Sequence, residues 1–362
     1  MRFNLRNRKD DRPERTCRLR RLPGLPRPVC GRCDRLEPSR RAKARRSARH
    51  LPTAENDDAH CLHAMPRVGE FPTYVSDMAD PRTLIAGYVH DLIGSKSDTP
   101  GFVRVAAEPG LVPYGGAAWT VHGDFTAMMI GGVVALLTQM LHPVAAAGVW
   151  DHSNFRRDLI GRLKRTAQFI AGTTYGSHTT AGMMIDRVRR IHDHVGGTLT
   201  DGTPYSANDP AVLTWVHVAG ADAFLRAYIR YRDPAMPGAA QDRYFAETAA
   251  VARALGATDV PLDRRGVAAY FQAVRPQLEA TARSREIARI LLTAPTPIPS
   301  TAPATRLMME AGIDLLQPWA AAMHNLQIPF HRRPLVRVGA RGVGAILRWS
   351  LNHERRHRPM MT

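Results

Sequence analysis

The longest uncharged run of the sequence constrains the fold most strongly. Residues 125–150, FTAMMIGGVVALLTQMLHPVAAAGVW, form 26 consecutive positions without a formal charge. Such a run must leave water, either as the central helix of a large helical domain or as a membrane span. Gln139, His142 and Pro143 interrupt it, and glycine and alanine outnumber leucine and phenylalanine. We therefore favour buried core over a span, and the pair Gly131–Gly132 suits the close approach of another helix or a flat ligand.

The next segment, residues 154–176, is predicted to be an amphipathic helix. Its sequence, NFRRDLIGRLKRTAQFIAGTTYG, repeats apolar residues at helical spacing, so that they fill one arc. Arg162 and Thr166 lie inside that arc, Arg165 lies at its edge, and Lys164 points away from it. A guanidinium keeps its charge when it is buried, so Arg162 requires an anionic or strongly accepting partner.

The rest of the body also has helical periodicity. Capping residues and Gly or Pro breaks predict further helices at about 80–93, 179–195, 210–231, 239–257, 263–279, 281–293 and 303–324. We find no two β-patterned runs joined by hairpin residues, and no internal repeat. These patterns predict an all-α fold, with a single large helical domain over residues 78–362.

Residues 1–77 differ in composition from that domain. They carry 19 Lys and Arg against 10 Asp and Glu, whereas residues 78–362 carry 31 against 22. The absence of apolar periodicity predicts a disordered Arg/Pro-rich segment. Three interpretations stay open: a basic arm for nucleic acid or anionic lipid, a transit peptide, or an upstream start-site artefact. We favour the artefact, because organised sequence begins at Met78. No secretory signal peptide is apparent, which predicts a cytoplasmic protein.

The four cysteines, Cys17, Cys30, Cys33 and Cys61, all lie in residues 1–77. The predicted domain therefore has no disulfide, cysteine nucleophile or thiolate ligand. Cys30 and Cys33 form a CxxC, but a second ligand pair at zinc spacing is missing. The signatures of serine hydrolases, P-loop NTPases and dinucleotide-binding domains are missing too, and no specific nucleic-acid partner is expected.

Two histidines, His192 and His217, lie on predicted apolar helix faces. A single histidine in such a position is more commonly a hydrogen-bonded core residue than a ligand. A carboxylate-bridged metal centre is disfavoured, because it needs Glu-x-x-His pairs on facing helices, and the helices predicted up to residue 324 have none. A haem needs only one axial histidine, an apolar slot and cations for its propionates. The residues by themselves leave haem binding as a hypothesis.

The last segment, residues 330–358, is basic and partly apolar, with seven arginines from Arg332 to Arg356. It is either an interfacial helix that makes peripheral contact with a membrane, or a last helix that packs on the body. We favour the second interpretation.

Several short motifs, in this order and spacing, make the body resemble a known family. They are Gln139–Pro143, Ala147–Val149, Asp151–Ser153, Arg162–Thr166, Ile191–Val195, Gly202–Ala207 and Trp215–His217. Over about residues 80–330 the chain resembles the MpaB-like and rubber (latex-clearing) oxygenases. Characterised members are all-α haem b proteins with a globin-like core, and they cleave isoprenoid double bonds with O2. The resemblance therefore implies haem b, O2 as co-substrate, and a hydrophobic substrate that is an isoprenoid or another alkene.

The resemblance also implies site residues. His192 matches the proximal haem ligand, with His217 as the alternative. Arg162 and Thr166 match a pair that the rubber enzymes require. In that role Arg162 stabilises charge on oxygen or anchors a propionate, and Thr166 supplies a hydroxyl for orientation. Arg165 replaces a lysine that can cap the distal iron, and since a guanidinium is a poor iron ligand, we expect an open distal position or an Arg165 that polarises O2. The alternatives are a non-catalytic haem or lipid carrier and a membrane-embedded helical protein.

Overall fold

Twelve α-helices and one two-stranded sheet make up the part of the chain that the structure describes. The computed structural model describes Gly87, residues 108–296 and residues 298–357, with side chains as far as residue 351. These residues belong to one compact unit, residues 73–362. The predicted disordered segment 1–77 and the predicted helix 80–93 lie outside the described residues, apart from Gly87, which is helical.

The helices closely follow the predicted ones. They are α1 (Ala117–His122), α2 (Phe125–Gln139), α3 (Pro143–His152), α4 (Leu159–Tyr175), α5 (His178–His192), α6 (Pro210–Tyr231), α7 (Gly238–Leu255), α8 (Arg264–Val274), α9 (Ala282–Leu292), α10 (Ala302–Leu315), α11 (Pro318–His324) and α12 (Arg333–His357). Short 3₁₀ turns lie at Arg275–Gln277, Pro299–Thr301 and Phe330–Arg332. The predicted all-α class is confirmed.

A short hairpin, which the sequence pattern did not predict, follows α5. Strand β1 (Gly196–Thr198) pairs antiparallel with β2 (Pro204–Ser206), with Gly197 opposite Tyr205. Each strand has only three residues, which is too short for an alternation of apolar and polar residues to be recognised in the sequence. The turn between them contains Gly202 at φ 89°, a left-handed conformation that favours glycine.

Helices α2 and α6 form the centre of the fold. The Asp124 side chain caps α2 by accepting a hydrogen bond from the Ala127 N–H at 2.9 Å. At Gly131 the two helices approach so closely that a Cβ atom would lie 2.8 Å from Phe224 Cδ1 and 2.9 Å from Phe224 Cα. A Cβ at Gly132 would meet nothing within 4 Å. The predicted close approach is thus confirmed at Gly131, while Gly132 borders open space.

The uncharged run 125–150 is core, as predicted, but it is two helices. Helix α2 ends at Gln139, α3 begins at Pro143, and their axes differ by 105°. Pro143 starts the new helix because it lacks the N–H that a continuing helix needs. None of the described helices is long and apolar enough to cross a membrane by itself. Helices α2 and α3 meet the length and composition criteria only as a bent pair.

Helix α4 begins later than predicted. Its N-cap is Asp158, whose carboxylate accepts from the Gly161 N–H at 2.9 Å, so residues 154–157 precede the helix. Most of its apolar face is half-buried, and full burial is confined to Gly172–Thr174. The predicted core-facing arc is therefore only partly covered. The predicted helix 303–324 is also divided, with α10 and α11 separated at Leu316–Gln317.

Candidate functional site

Arg162 lies in the first turn of α4, and its guanidinium is half-buried. It donates from Nη1 to the hydroxyl oxygen of Ser153. Burial lowers the pKa of Arg162, and the nearby charge of Arg165 lowers it further. No carboxylate of the described residues lies within ion-pair distance of Arg162. The predicted need for an accepting partner is therefore met only by one neutral hydroxyl, which leaves most of its donors for another group.

The Arg162 side chain borders a small apolar cavity of about 20 Å³. The walls come from α2, α3, α4 and α9: Leu136, Leu137, Met140, Val149, Phe155, Leu159, Ile287, Ala288 and Leu291. A volume of this size holds about one water molecule. Arg162 is the single charged group among these walls, so it is the group on which any polar chemistry at this cavity depends.

Thr166 and Arg165, the other two predicted residues of α4, are both exposed. The Thr166 hydroxyl donates to the Arg162 carbonyl oxygen at 3.1 Å, one turn back along the helix. The Arg165 guanidinium lies 3.2 Å from the carboxylate of the N-cap residue Asp158. Arg165 is thus engaged with its own helix, and Thr166 braces the turn that carries Arg162.

His192, the last residue of α5, is half-buried. Burial lowers its pKa, and the carboxylate of Asp193 partly opposes this. The imidazole is therefore neutral near pH 7, which is the form that ligates a metal. Its Nδ1 atom is buried and has no hydrogen-bond partner. Among the described residues, His142 and His324 also have a buried Nδ1 atom without a partner, so this feature leaves His192 able to bind a further group but does not single it out.

His217, on α6, belongs to a different polar cluster. Burial lowers the pKa of His217 to about 4. Burial also lowers the pKa of His122, to about 3, and the adjacent His217 contributes to that shift. The His122 ring lies 2.8 Å from Thr174 Oγ1 through Nδ1 and 3.1 Å from the Tyr244 hydroxyl through Nε2. A neutral imidazole donates once and accepts once, so one of these hydroxyls donates and the other accepts.

Three consecutive residues at the end of α3, Asp151–Ser153, connect the other motifs. Asp151 accepts from the Tyr205 hydroxyl at 2.9 Å and from Arg283 at 3.0 Å. His152 donates to the Gly196 carbonyl oxygen at 2.9 Å, and Ser153 accepts from Arg162. This segment therefore fixes the guanidinium of Arg162 and the chain just beyond His192 to the same end of α3.

A second connection joins the segment after α2 to α6. The Gln139 amide donates to the Val216 carbonyl oxygen at 2.7 Å, and the Trp215 indole donates to the Gln139 carbonyl oxygen at 2.9 Å. His142 lies beside Trp215, with ring centroids 6.2 Å apart. These bonds fix the position of His217, the next residue of α6.

The predicted site residues lie in three places: on α4, at the end of α5 and on α6. Arg162, Arg165 and Thr166 share one helix face, and His192 lies at the end of the next helix. The connection between α4 and α5 is Gly176–Ser177, and both Arg162 and His192 lie about 20 Å along their helices from it. Both are therefore remote from that turn; Ser153 bonds Arg162 directly, and His152 bonds the backbone four residues after His192. No hydrogen bond of the described residues joins His217 to either of them.

The described residues contain no group of three or more His, Cys, Asp or Glu side chains that could hold a metal ion. A cofactor whose iron takes one protein ligand does not need such a group.

Comparison with known proteins identifies the family. The family model described as ER-bound oxygenase mpaB/B'/Rubber oxygenase, catalytic domain, matches residues 119–349, which is more than half of the chain. The chain belongs to this family. The match of this oxygenase catalytic domain runs from α1 into α12, so it includes every predicted site residue and extends beyond residue 330. No curated protein and no solved structure matches the chain.

Sequence reasoning missed part of this oxygenase domain's polar interior. His122 and Tyr244 were not among the predicted residues, although the two side chains are hydrogen-bonded, Tyr244 is buried and His122 is half-buried. They are 122 positions apart, and neither interrupts an apolar stripe in the way that Arg162 does.

Proposed function

We propose that this chain is a haem b-dependent oxygenase that uses O2 on a hydrophobic substrate, an isoprenoid or another alkene. Membership of the oxygenase catalytic-domain family supports the reaction class. The observation that carries the haem assignment is His192: a neutral imidazole with a buried, unpartnered Nδ1 at the end of α5.

The residues around α5 fit a large, flat, mostly apolar cofactor. Helix α5 keeps large apolar side chains in solvent, with Met183 62% and Ile191 54% exposed. A Cβ atom at Gly182, on the same helix, would meet nothing within 4 Å, and the same holds for Gly132 on α2. Exposed apolar surface and open space beside glycines suit a porphyrin face better than a packed helix interface. We propose that His192 ligates the iron, with His217 as the alternative ligand.

The haem, when bound, supplies the activation of O2. Arg162 supplies a fixed positive charge with spare hydrogen-bond donors beside apolar walls. In such a place a guanidinium stabilises negative charge, either a propionate or charge that develops on oxygen. Ser153 holds the guanidinium, and Thr166 braces its turn. Arg165 adds positive potential near Arg162, and its pairing with Asp158 keeps it from acting as a direct contact.

The apolar residues around the small cavity beside Arg162 also favour one chemical class of substrate. Apart from Arg162, the residues around the small cavity are hydrophobic and offer no donor or acceptor side chain. The cavity is too small to enclose a substrate, but a substrate group that packs against these walls must be apolar, because a polar group would lose its hydration without replacement. This supports an alkene over a hydroxylated or charged substrate.

We propose further that α12 makes peripheral contact with a membrane, from which an apolar substrate would be drawn. Leu335, Val338 and Ile346 are 73%, 67% and 55% exposed, and their spacing places them on one arc of the helix. The arginines on its flank are turned to the body: Arg337 binds Asp314 at 2.7 Å, and Arg348 binds Asp124 at 2.9 Å. An apolar arc that faces outward beside basic residues is typical of an interfacial helix.

The deciding experiment is an absorption spectrum of the purified full chain, oxidised and reduced, followed by O2 uptake with squalene as a model alkene. We expect a Soret band that shifts on reduction, and alkene-dependent uptake of O2. A protein without a Soret band after haem reconstitution would rule out the cofactor.

A Soret band without O2 uptake on squalene or a shorter isoprenoid would instead favour a non-catalytic haem carrier. In both cases the family membership stands, so the cofactor and the activity are tested separately.

A further inference from the structure

A second cavity, of about 390 Å³, lies on another face of α6. It is bordered by Asp222, Leu225, Arg226 and Ile229 of α6, which recur at intervals of three and four residues and so share one face. His217 precedes Asp222 by five residues, which places it about 140° away around the helix. The cavity is therefore separate from the His217 cluster and from the small cavity beside Arg162.

The floor of this second cavity is apolar and aromatic. Phe245 of α7 and Val267 and Phe271 of α8 are almost fully buried beneath it, at 4%, 4% and 3% exposure. Phe271 is fixed by Trp215, with ring centroids 6.1 Å apart and planes at 89°, and by Trp319 at 6.0 Å. A rigid aromatic floor of this kind favours a ligand with a flat ring.

Three arginines and one carboxylate surround that floor. Arg264 binds the Asp242 carboxylate at 2.7 and 3.2 Å, so its charge is compensated. Arg226 donates to the Leu315 carbonyl oxygen at 2.8 Å and lies 3.9 Å from Asp222. These two arginines are therefore already engaged with the protein.

Arg275 is the cation that remains. Its guanidinium lies 5.0 Å above the Trp319 ring, and no carboxylate of the described residues is within ion-pair distance of it. The side chain is exposed at the rim, so it can turn toward the cavity without disturbing the core. Gln241 and Gln272 line the same cavity: the Gln241 amide already donates to the Met236 carbonyl oxygen at 2.8 Å and keeps one N–H, and the Gln272 amide is exposed.

Asp222, at the inner end, does not cancel this charge. It accepts from the Gln317 amide at 3.1 Å and is compensated by Arg226. Burial raises its pKa, while Arg226 and then Gln317 lower it. The cavity thus combines an aromatic floor, a compensated interior and one uncompensated cation at its mouth.

We propose that this cavity binds a small aryl carboxylate, at a site separate from the oxygenase site. The carboxylate pairs with Arg275, which can engage both oxygens through two N–H groups, and the amides of Gln241 and Gln272 complete its hydrogen bonds. The ring packs against the apolar floor, to which Phe245 and Phe271 contribute only small exposed areas. The volume is in the range of sites that enclose small organic ligands.

The test is calorimetric titration of the full chain with naphthalene-1-acetate, its neutral isostere naphthalene-1-acetamide, and decanoate. We expect the acetate to bind about tenfold more tightly than the acetamide, because only the acetate pairs with Arg275. Equal binding of acetate and acetamide would overturn the anion requirement. Tighter binding of decanoate than of naphthalene-1-acetate would overturn the aryl requirement.

Two variants locate the site. In Arg275→Gln the preference for acetate over acetamide should disappear, whereas Arg289→Gln, which breaks a surface pair with Glu286, should retain it. Ala268 is exposed at the rim, so the Ala268→Trp side chain should fill the cavity without disturbing the packing of the core. This variant should bind neither naphthalene-1-acetate nor naphthalene-1-acetamide. Unchanged binding to Ala268→Trp would contradict the proposal. Haem content and O2 uptake are separate readouts, so the outcome does not depend on the proposed oxygenase activity.

Discussion

His152 donates from Nε2 to the carbonyl oxygen of Gly196 at 2.9 Å, which ties the end of α3 to the chain four residues after His192. A carbonyl oxygen only accepts, so Nε2 carries the proton. Since Ser153, the next residue, accepts from Arg162, one short segment bonds both the Arg162 guanidinium and the backbone that follows His192. The motif Asp151–Ser153 therefore connects two other motifs of the resemblance, Arg162–Thr166 and Ile191–Val195.

Replacement of His192 tests the cofactor ligand. His192→Ala should purify with little or no haem, because it removes the neutral imidazole that we propose as the iron ligand, and the Soret absorbance per protein measures this. His194→Ala is the matched control: His194 is exposed and bonds the Arg190 carbonyl oxygen at 2.9 Å, so its loss should leave haem content unchanged. Full haem content in His192→Ala, together with loss of haem in His217→Ala, would identify His217 on α6 as the iron ligand.

Substitution of Arg162 should reduce oxygenase activity far more than substitution of Arg165. Arg162→Gln removes a charge in an apolar site, and a loss of about 100-fold or more in kcat/KM for alkene-dependent O2 uptake is expected. Arg165→Gln removes an exposed pair with Asp158, and a change under about threefold is expected. Arg162→Lys should not restore activity, since an ammonium lacks the fork that serves Ser153 and a second acceptor. Equal losses at both positions would contradict the assignment.

Acid should destabilise the fold through its buried histidines. In the folded state, burial lowers the pKa of His122 to about 3 and of His217 to about 4, whereas the unfolded chain protonates near 6.5. Between those values the unfolded state binds more protons, so the free energy of unfolding falls as pH decreases below about 6.5.

The size of this effect can be measured by urea unfolding at pH 7 and pH 5. His217 alone should contribute roughly 2 kcal/mol to the difference between those pH values. His217→Gln should reduce the pH dependence by about that amount, and the exposed His194→Gln should not. An identical pH dependence in wild type and His217→Gln would show that His217 protonates normally in the fold.

The sequence predicted most of the helices because capping residues and apolar periodicity depend only on neighbouring positions. Helix α6 begins at Pro210 after Asp209 and ends at Tyr231, as the capping pair and the periodicity indicated. The start of α4 was wrong because Asp151 and Ser153, which also suit an N-cap, bond other parts of the fold, while Asp158 caps the helix. Only tertiary contacts decide between such candidates.

The site could be predicted in part. Arg162 was found because a cation in an apolar stripe violates a local pattern, and it is indeed half-buried. Thr166 was expected to face the core but is exposed, since α4 leaves much of its apolar face uncovered. The cluster of His122, Thr174 and Tyr244 gave no local signal, because each residue is ordinary for its own helix and the hydrogen bonds join distant segments.

The adjacent glycines of α2 provide a matched pair of tests. Gly131→Ala should destabilise the protein by at least about 2 kcal/mol, because its Cβ would lie 2.9 Å from the Phe224 backbone and α6 would have to move. Gly132→Ala meets open space and should be neutral or stabilising by up to about 1 kcal/mol through helix propensity. Urea unfolding measures both. A stable Gly131→Ala would show that the two helices separate easily.

The outward arc of α12 predicts binding to lipid vesicles. Val338→Asp/Ile346→Asp removes two apolar side chains that we propose enter the membrane surface, so partitioning to phosphatidylcholine vesicles should fall at least about tenfold. Neutral lipid is chosen so that the basic residues 1–77 contribute little. Leu262→Asp/Ile298→Asp makes the same change in charge at two other exposed apolar positions and should partition like wild type. Cosedimentation measures the bound fraction, and equal partitioning of both double variants would exclude α12 as the membrane contact.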